Sequence, residues 1–226
     1  MQNEKFEAVQ KVINSRISCR GFLDKPVSEE ILKEIVELSE RSPTWKNAQS
    51  YELIAVSGNL KNTICEELIE KAKTGALPNS DFPYETNYPS KIKKRIMELA
   101  MEFYGHLKIE RKDKPKREIQ MLKNFSGFGS PTIVFCLIPS SLREWAILDL
   151  GIFLGHVVIA AESKGLSTCL QAALVSYPDI IRKYLNIGID KSIAVGFSIG
   201  YKDDSELANS FYSKRVPIDE ILRFAR

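Results

Sequence analysis

Arg16, Ser18 and Arg20 occupy alternate positions in the stretch NSRISCRGF, between an apolar-periodic segment and the break DKP. In an extended backbone, side chains at i, i+2 and i+4 share one face. Two guanidinium groups and a hydroxyl would then point at one target. Guanidinium forks match phosphate oxygens bidentately, and a hydroxyl between them adds a further hydrogen bond. That is the chemistry of an anion clamp, although the same spacing also describes a solvated edge segment with scattered charges.

A second stretch suggests different chemistry. Gly196-Phe197-Ser198-Ile199-Gly200 fits G-x-S-x-G, the nucleophile elbow of hydrolases. An elbow requires a strand, a sharp turn and a helix, with a histidine later in the chain. Here YKDDSE follows, and both His106 and His156 precede Ser198. Ser198 is therefore read as a strand residue. Two isolated histidines do not make a metal site. Cys19, Cys65, Cys136 and Cys169 lie far apart with no C-x-x-C pair, and no signal-like segment opens the chain. Reduced thiols and a cytoplasmic location are expected.

The elements around the clamp follow from periodicity. Phe6, Val9, Val12 and Ile13 recur at helical spacing, and Ile31, Leu32, Ile35 and Leu38 do so after Ser28, a suitable N-cap behind Pro26. YELIAVSG and TIVFCLIP read as buried strands, SIAVGFSIGY as another. Residues 76–90 hold three prolines and no period, which predicts a long loop of the kind that often forms a lid. A helical pattern is expected from about Lys91 to Phe125. The segment LREWAILDLGIFLGHVVIAAESKG is apolar on nearly every side, with Gly151 and Gly155 four apart. It is either the centre of the domain or half of a subunit interface. Strands scattered among unequal helices indicate an α+β class rather than a doubly wound sheet.

Composition sets the outer bounds. A chain of 226 residues, 44% hydrophobic, suits one core and a single domain over residues 1–226, with a lid or insert at about 76–125. The formal charge of +3 is too small to argue for nucleic acid. The basic run from Lys91 to Arg117 is interrupted by Glu98, Glu102, Glu110 and Asp113, as on a solvated helix face. The longest apolar stretches are strand-length or carry charges, so no membrane span is expected.

Three separated pieces, SRISCRGF, RSPTWKNAQSYELIAV and GYKDDSELANSFYSKRVPIDEI, together resemble the FMN-dependent nitroreductases. That family's first motif is R-x-S-x-R, its second a P-S-x-x-N-x-Q-P-W-like loop, and its third ends in R-x-P. Between them, NFSGFGSPTIVF and LDLGIFLGHVVIAAESKGLSTCLQAAL are similar to the branch near nitrobenzoate reductases. The resemblance covers essentially the whole chain.

The resemblance implies a nitroreductase-like α+β fold, with a central sheet packed between helices, in a homodimer with a helical interface. It implies that FMN is the anion held by the clamp, and that NADH or NADPH is the electron donor. Arg16 and Ser18, with Arg215 of KRVP, would hold the FMN phosphate, Ile17 between them would also border the cofactor, and Arg20 would approach the flavin ring near N1 and O2, where a cation favours the reduced anion. Pro43, Thr44, Trp45 and Asn47 would cover the cofactor from the other subunit. Trp45 is either a wall for an aromatic substrate or a core residue. The backbone of Gln171, Ala172 and Ala173 would lie at flavin N5, and Asn124 at the pyrimidine edge. The implied reaction is ping-pong transfer to a small-molecule acceptor, a nitroaromatic or a quinone, with no dedicated acid or base. Reductive dehalogenation, flavin breakdown and a non-catalytic FMN-binding dimer are the alternatives. Three departures from the family pattern, Ser50-Tyr51 for P-W, Leu170 for a frequent proline, and Ile17, bear on the substrate pocket.

Overall fold

The computed structural model describes residues 2–225. The elements in order are α1 (Gln2–Ser15), α2 (Glu29–Ser39), β1 (Glu52–Ser57), α3 (Gly58–Lys73), α4 (Ser90–His106), α5 (Lys114–Leu122), β2 (Thr132–Pro139), α6 (Glu144–Ser163), β3 (Ser167–Gln171), α7 (Pro178–Leu185) and β4 (Lys191–Gly200). The strands form one antiparallel sheet in the order β1-β2-β4-β3. The expected α+β class and central sheet between helices are what the chain adopts.

Each face of the sheet buries its own apolar layer. Ile133, Phe135 and Leu137 of β2 pack with α3 and α7, whereas Val134, Cys136 and Ile138 pack with α2 and α6. That is the period of two of a strand covered on both sides. On β4 the alternation breaks, because Leu137 pairs with Ile193 while Cys136 pairs with Val195. The extra residue, Ala194, makes a bulge that places Ile193 on the opposite face from Phe197 and Ile199.

Helix boundaries follow local chemistry. The Ser28 hydroxyl accepts the Ile31 N–H at 3.3 Å and starts α2. The single helix expected from Lys91 to Phe125 is two helices, broken between Leu107 and Asp113. Lys108 adopts φ 56°, and the Asp113 carboxylate restarts the chain as a cap with Pro115 in the first turn.

The apolar helix α6 is not buried all round. Its inner face, with Leu150, Phe153 and Val157, packs on the sheet, while Trp145, Ile147, Leu148, Gly151 and Gly155 face outward. By length and hydropathy α6 is a membrane-span candidate, but it is a core helix on one side. The apolar stripe of α1 is likewise open, with Phe6 66% exposed.

Candidate functional site

The first motif runs as an extended segment along the outer edge of β3. Ser18 bridges Thr168 in parallel, and Cys19 N–H donates to Thr168 O at 2.9 Å. Alternation then sorts the side chains: Ile17 and Cys19 enter the core at 6% and 0% exposure, and Arg16, Ser18 and Arg20 stay on the open side. A cleft of about 550 Å³ collects them with Arg215, Leu99 and residues 211–213, and the predicted Ile17, though mostly buried, also lines it. No Asp or Glu lines it.

The guanidinium groups are short of counter-charges. Arg16 and the Ser18 hydroxyl make no hydrogen bond among the described residues. Arg20 donates to Ser18 O at 3.2 Å and rests over the Phe103 ring at 4.6 Å. Arg215 donates only to its neighbours Ser213 and Lys214. Lys214 is committed elsewhere: it pairs with Glu102 of α4 at 2.5 Å, which raises its pKa above the ordinary lysine value. Glu220 holds the same C-terminal segment to α4 through Lys91, at 2.8 Å, and Arg95.

A buried asparagine joins the two halves of the clamp. Asn209 Oδ1 accepts the Arg20 N–H at 2.7 Å, and its Nδ2 donates to Gly21 O and Asp203 O, each at 2.8 Å. Gly21 itself is needed for close approach, since a Cβ there would meet the Glu206 side chain at 2.4 Å. Beneath the segment lie two thiols. Burial pushes Cys19 and Cys169 up to about 11, for Cys169 against the pull of Arg20 and Arg16. All four cysteines are free and buried.

Gln171, at the end of β3, turns its side chain inward. Its Nε2 donates to Asn124 O at 2.8 Å, and its Oε1 accepts from the Ser198 hydroxyl at 2.5 Å. The Asn124 amide turns back to Met121 O at 3.1 Å. Only backbone of this stretch is therefore free to meet a ligand at Ala172 and Ala173, and Ala172 O already accepts from the Tyr84 hydroxyl at 3.0 Å. Ser198 is fully buried in mid-strand, as a strand residue rather than an elbow nucleophile. Ser198→Ala should lower stability by about 1–3 kcal/mol, because the Gln171 carbonyl loses its donor in a dry site. A lowered urea midpoint at constant slope is the expected reading.

Residues 43–47 lie elsewhere. Within one chain no hydrogen bond, ion pair or ring contact joins them to the arginine cleft among the described residues. Trp45 stacks on Trp145 at 4.7 Å, and its N–H donates to both oxygens of Asp149, at 2.9 and 3.1 Å. Lys46, Asn47 and Gln49 all have positive φ, and the Asn47 side chain makes no hydrogen bond among the described residues. Pro43 and Asn47 are exposed. Sequence reading missed Asn209 and Asp149. Asp149 is a lone carboxylate in the apolar run WAILDLGIFLG, which is its one signal, whereas Asn209 in DDSELANSFY has none.

The motifs and this geometry agree with the comparisons. Residues 13–201 match the model of the nitroreductase family. The chain is 29% identical to a 4-nitrobenzoate reductase of Pseudomonas putida over 90% of this chain and 89% of that one. It is 26% identical to the nitroreductase NfnB of Mycolicibacterium smegmatis, over 97% and 94%. The solved structure of the FMN-dependent nitroreductase NfnB from Mycobacterium smegmatis, in complex with NADPH, superposes with a TM-score of 0.92 at 25% identity, covering 97% of this chain and 99% of that one. The family match over residues 13–201 takes in the first two motifs and the whole four-stranded sheet, and the chain belongs to the nitroreductase family.

Proposed function

We propose that the protein is an FMN-dependent NAD(P)H oxidoreductase that reduces a nitroaromatic or quinone-like acceptor. The observation that carries this reading is the cleft itself: three arginines and a serine hydroxyl converge on it, and among the described residues none of the arginines is paired with a carboxylate and no acidic residue lines it. Such a donor set fits a phosphate monoester, and a cleft of about 550 Å³ is of cofactor size.

In this reading Arg16, Ser18 and Arg215 hold the FMN phosphate. Arg20 stands at the ring, where its positive charge stabilises developing negative charge. The chemistry supplied by bound FMN is the transfer of reducing equivalents from NADH or NADPH to the acceptor. The chain contributes binding, orientation and charge. Asn209 keeps Arg20 in place, and the backbone at Ala172 and Ala173 borders the ring. The partner in a homodimer contributes the 43–47 turn, with the exposed faces of α1 and α6 as the interface. Four unpaired cysteines suit a cytoplasmic enzyme.

The purified protein should be yellow, and heating should release FMN. Anaerobic NADPH or NADH should bleach the colour and 4-nitrobenzoate or a quinone should restore it. Release of FAD, absence of flavin after incubation with excess FMN, or a flavin that no nicotinamide reduces would each defeat the reading.

A further inference from the structure

Asp149 is a carboxylate on a helix face that otherwise buries Ala146, Leu150, Phe153 and Leu154. It is 3% exposed and has no cationic partner among the described residues. A buried carboxylate without a counter-charge is costly unless hydrogen bonds compensate it. Its one donor is the Trp45 amide, shared between both oxygens. Trp145 lies four residues earlier on α6, so the two side chains are neighbours on one helix surface. Together they grip Trp45 twice, by its ring and by its amide.

The turn so gripped is under strain. Lys46, Asn47 and Gln49 have φ of 52°, 57° and 44°, in the left-handed region that side chains with a Cβ disfavour. Inside the turn, Asn47 N–H donates to Thr44 O at 3.1 Å and Gln49 Nε2 to Asn47 O at 3.3 Å, while the Asn47 side-chain amide has no partner among the described residues. Without an anchor the segment would relax. We infer that Asp149 is a positioning residue: by accepting the Trp45 amide it holds the Thr44–Asn47 turn in the shape that presents Asn47 to the flavin. The second half of that statement rests on the proposed FMN site; the first does not.

Trp45 and Trp145 are the only two tryptophans in the protein. Their far-ultraviolet exciton couplet and fluorescence therefore report this turn directly, with or without cofactor. Asp149→Leu suits the apolar surroundings and removes a carboxylate without a counter-charge, but it leaves the Trp45 backbone N–H without its acceptor, so the two effects on stability oppose each other. The expected result is a folded full-length protein with a lost couplet and an FMN dissociation constant about tenfold higher. A residue serving only stability would leave the couplet in the folded protein. Asp149→Asn offers one acceptor oxygen instead of two. It should weaken the couplet and raise the FMN dissociation constant less than leucine does, and it carries the test if the leucine variant does not fold. A couplet unchanged in the variant that carries the test overturns the role of Asp149. A couplet lost with FMN affinity unchanged overturns the link from turn to flavin, while wild-type protein that binds no FMN at all overturns the site and leaves Asp149's hold on Trp45 standing.

Discussion

Exchange of Arg16 for glutamate should yield a folded, colourless protein. Arg16 sits half-buried at the cleft with no bond to lose, so its removal costs the isolated chain little. The cost falls on the ligand. Loss of one charge-assisted contact to a phosphate is worth about 2 kcal/mol. A new carboxylate near the phosphate adds repulsion of about 2 kcal/mol after screening. FMN binding should therefore weaken by about a thousandfold, measured by fluorescence titration. Arg215→Ala removes a contact without adding repulsion and should cost only about 1.5–3 kcal/mol. Riboflavin separates clamp from ring, because it carries no phosphate: Arg16→Glu should bind it as the parent does. Arg16→Glu protein that retains its full complement of FMN would dismiss the anion clamp, and equal loss of riboflavin would show a damaged cleft instead.

How much of this was legible beforehand follows the range of the interactions. The shared face of Arg16, Ser18 and Arg20 was legible because alternation is local, and the structure places the three on one open side with Ile17 and Cys19 beneath. The start of α2 was visible for the same reason, since Ser28 caps a helix three residues away. The break before α5 also had a local signal, KDKP, that the surrounding helical pattern concealed. Long-range ties leave no such trace. Asn209 meets Arg20 across 189 residues, and Asp149 meets Trp45 across 104. The outer face of α6 is a different case. An apolar helix surface has the same composition whether a sheet or another chain covers it, so periodicity could name both possibilities for α6 and decide neither. The structure assigns one face to the sheet and leaves Trp145 and Leu148 outside.

That division leads to the largest recovery of function to be expected. The 43–47 turn sits at the start of the exposed α6 face, against Trp145, and away from the arginine cleft of its own chain. A partner covering that face would also meet the turn, and in the proposed homodimer the partner's arginine cleft is the one that receives the first copy's Asn47. Arg16→Glu and Asn47→Ala should then each cripple the homodimer for reasons belonging to different chains. In a two-fold dimer, a mixed pair holds one site with both lesions and one with neither. Random reassortment makes roughly half of the dimers mixed, so about a quarter of all sites should be intact. Two inactive proteins, mixed under conditions that exchange subunits, should regain activity toward that fraction. Were the site contained in one chain, every site would keep a lesion and nothing could recover. Mass-tagged chains establish that exchange has occurred, and confirmed exchange without recovered activity would place the 43–47 turn outside the partner's flavin site.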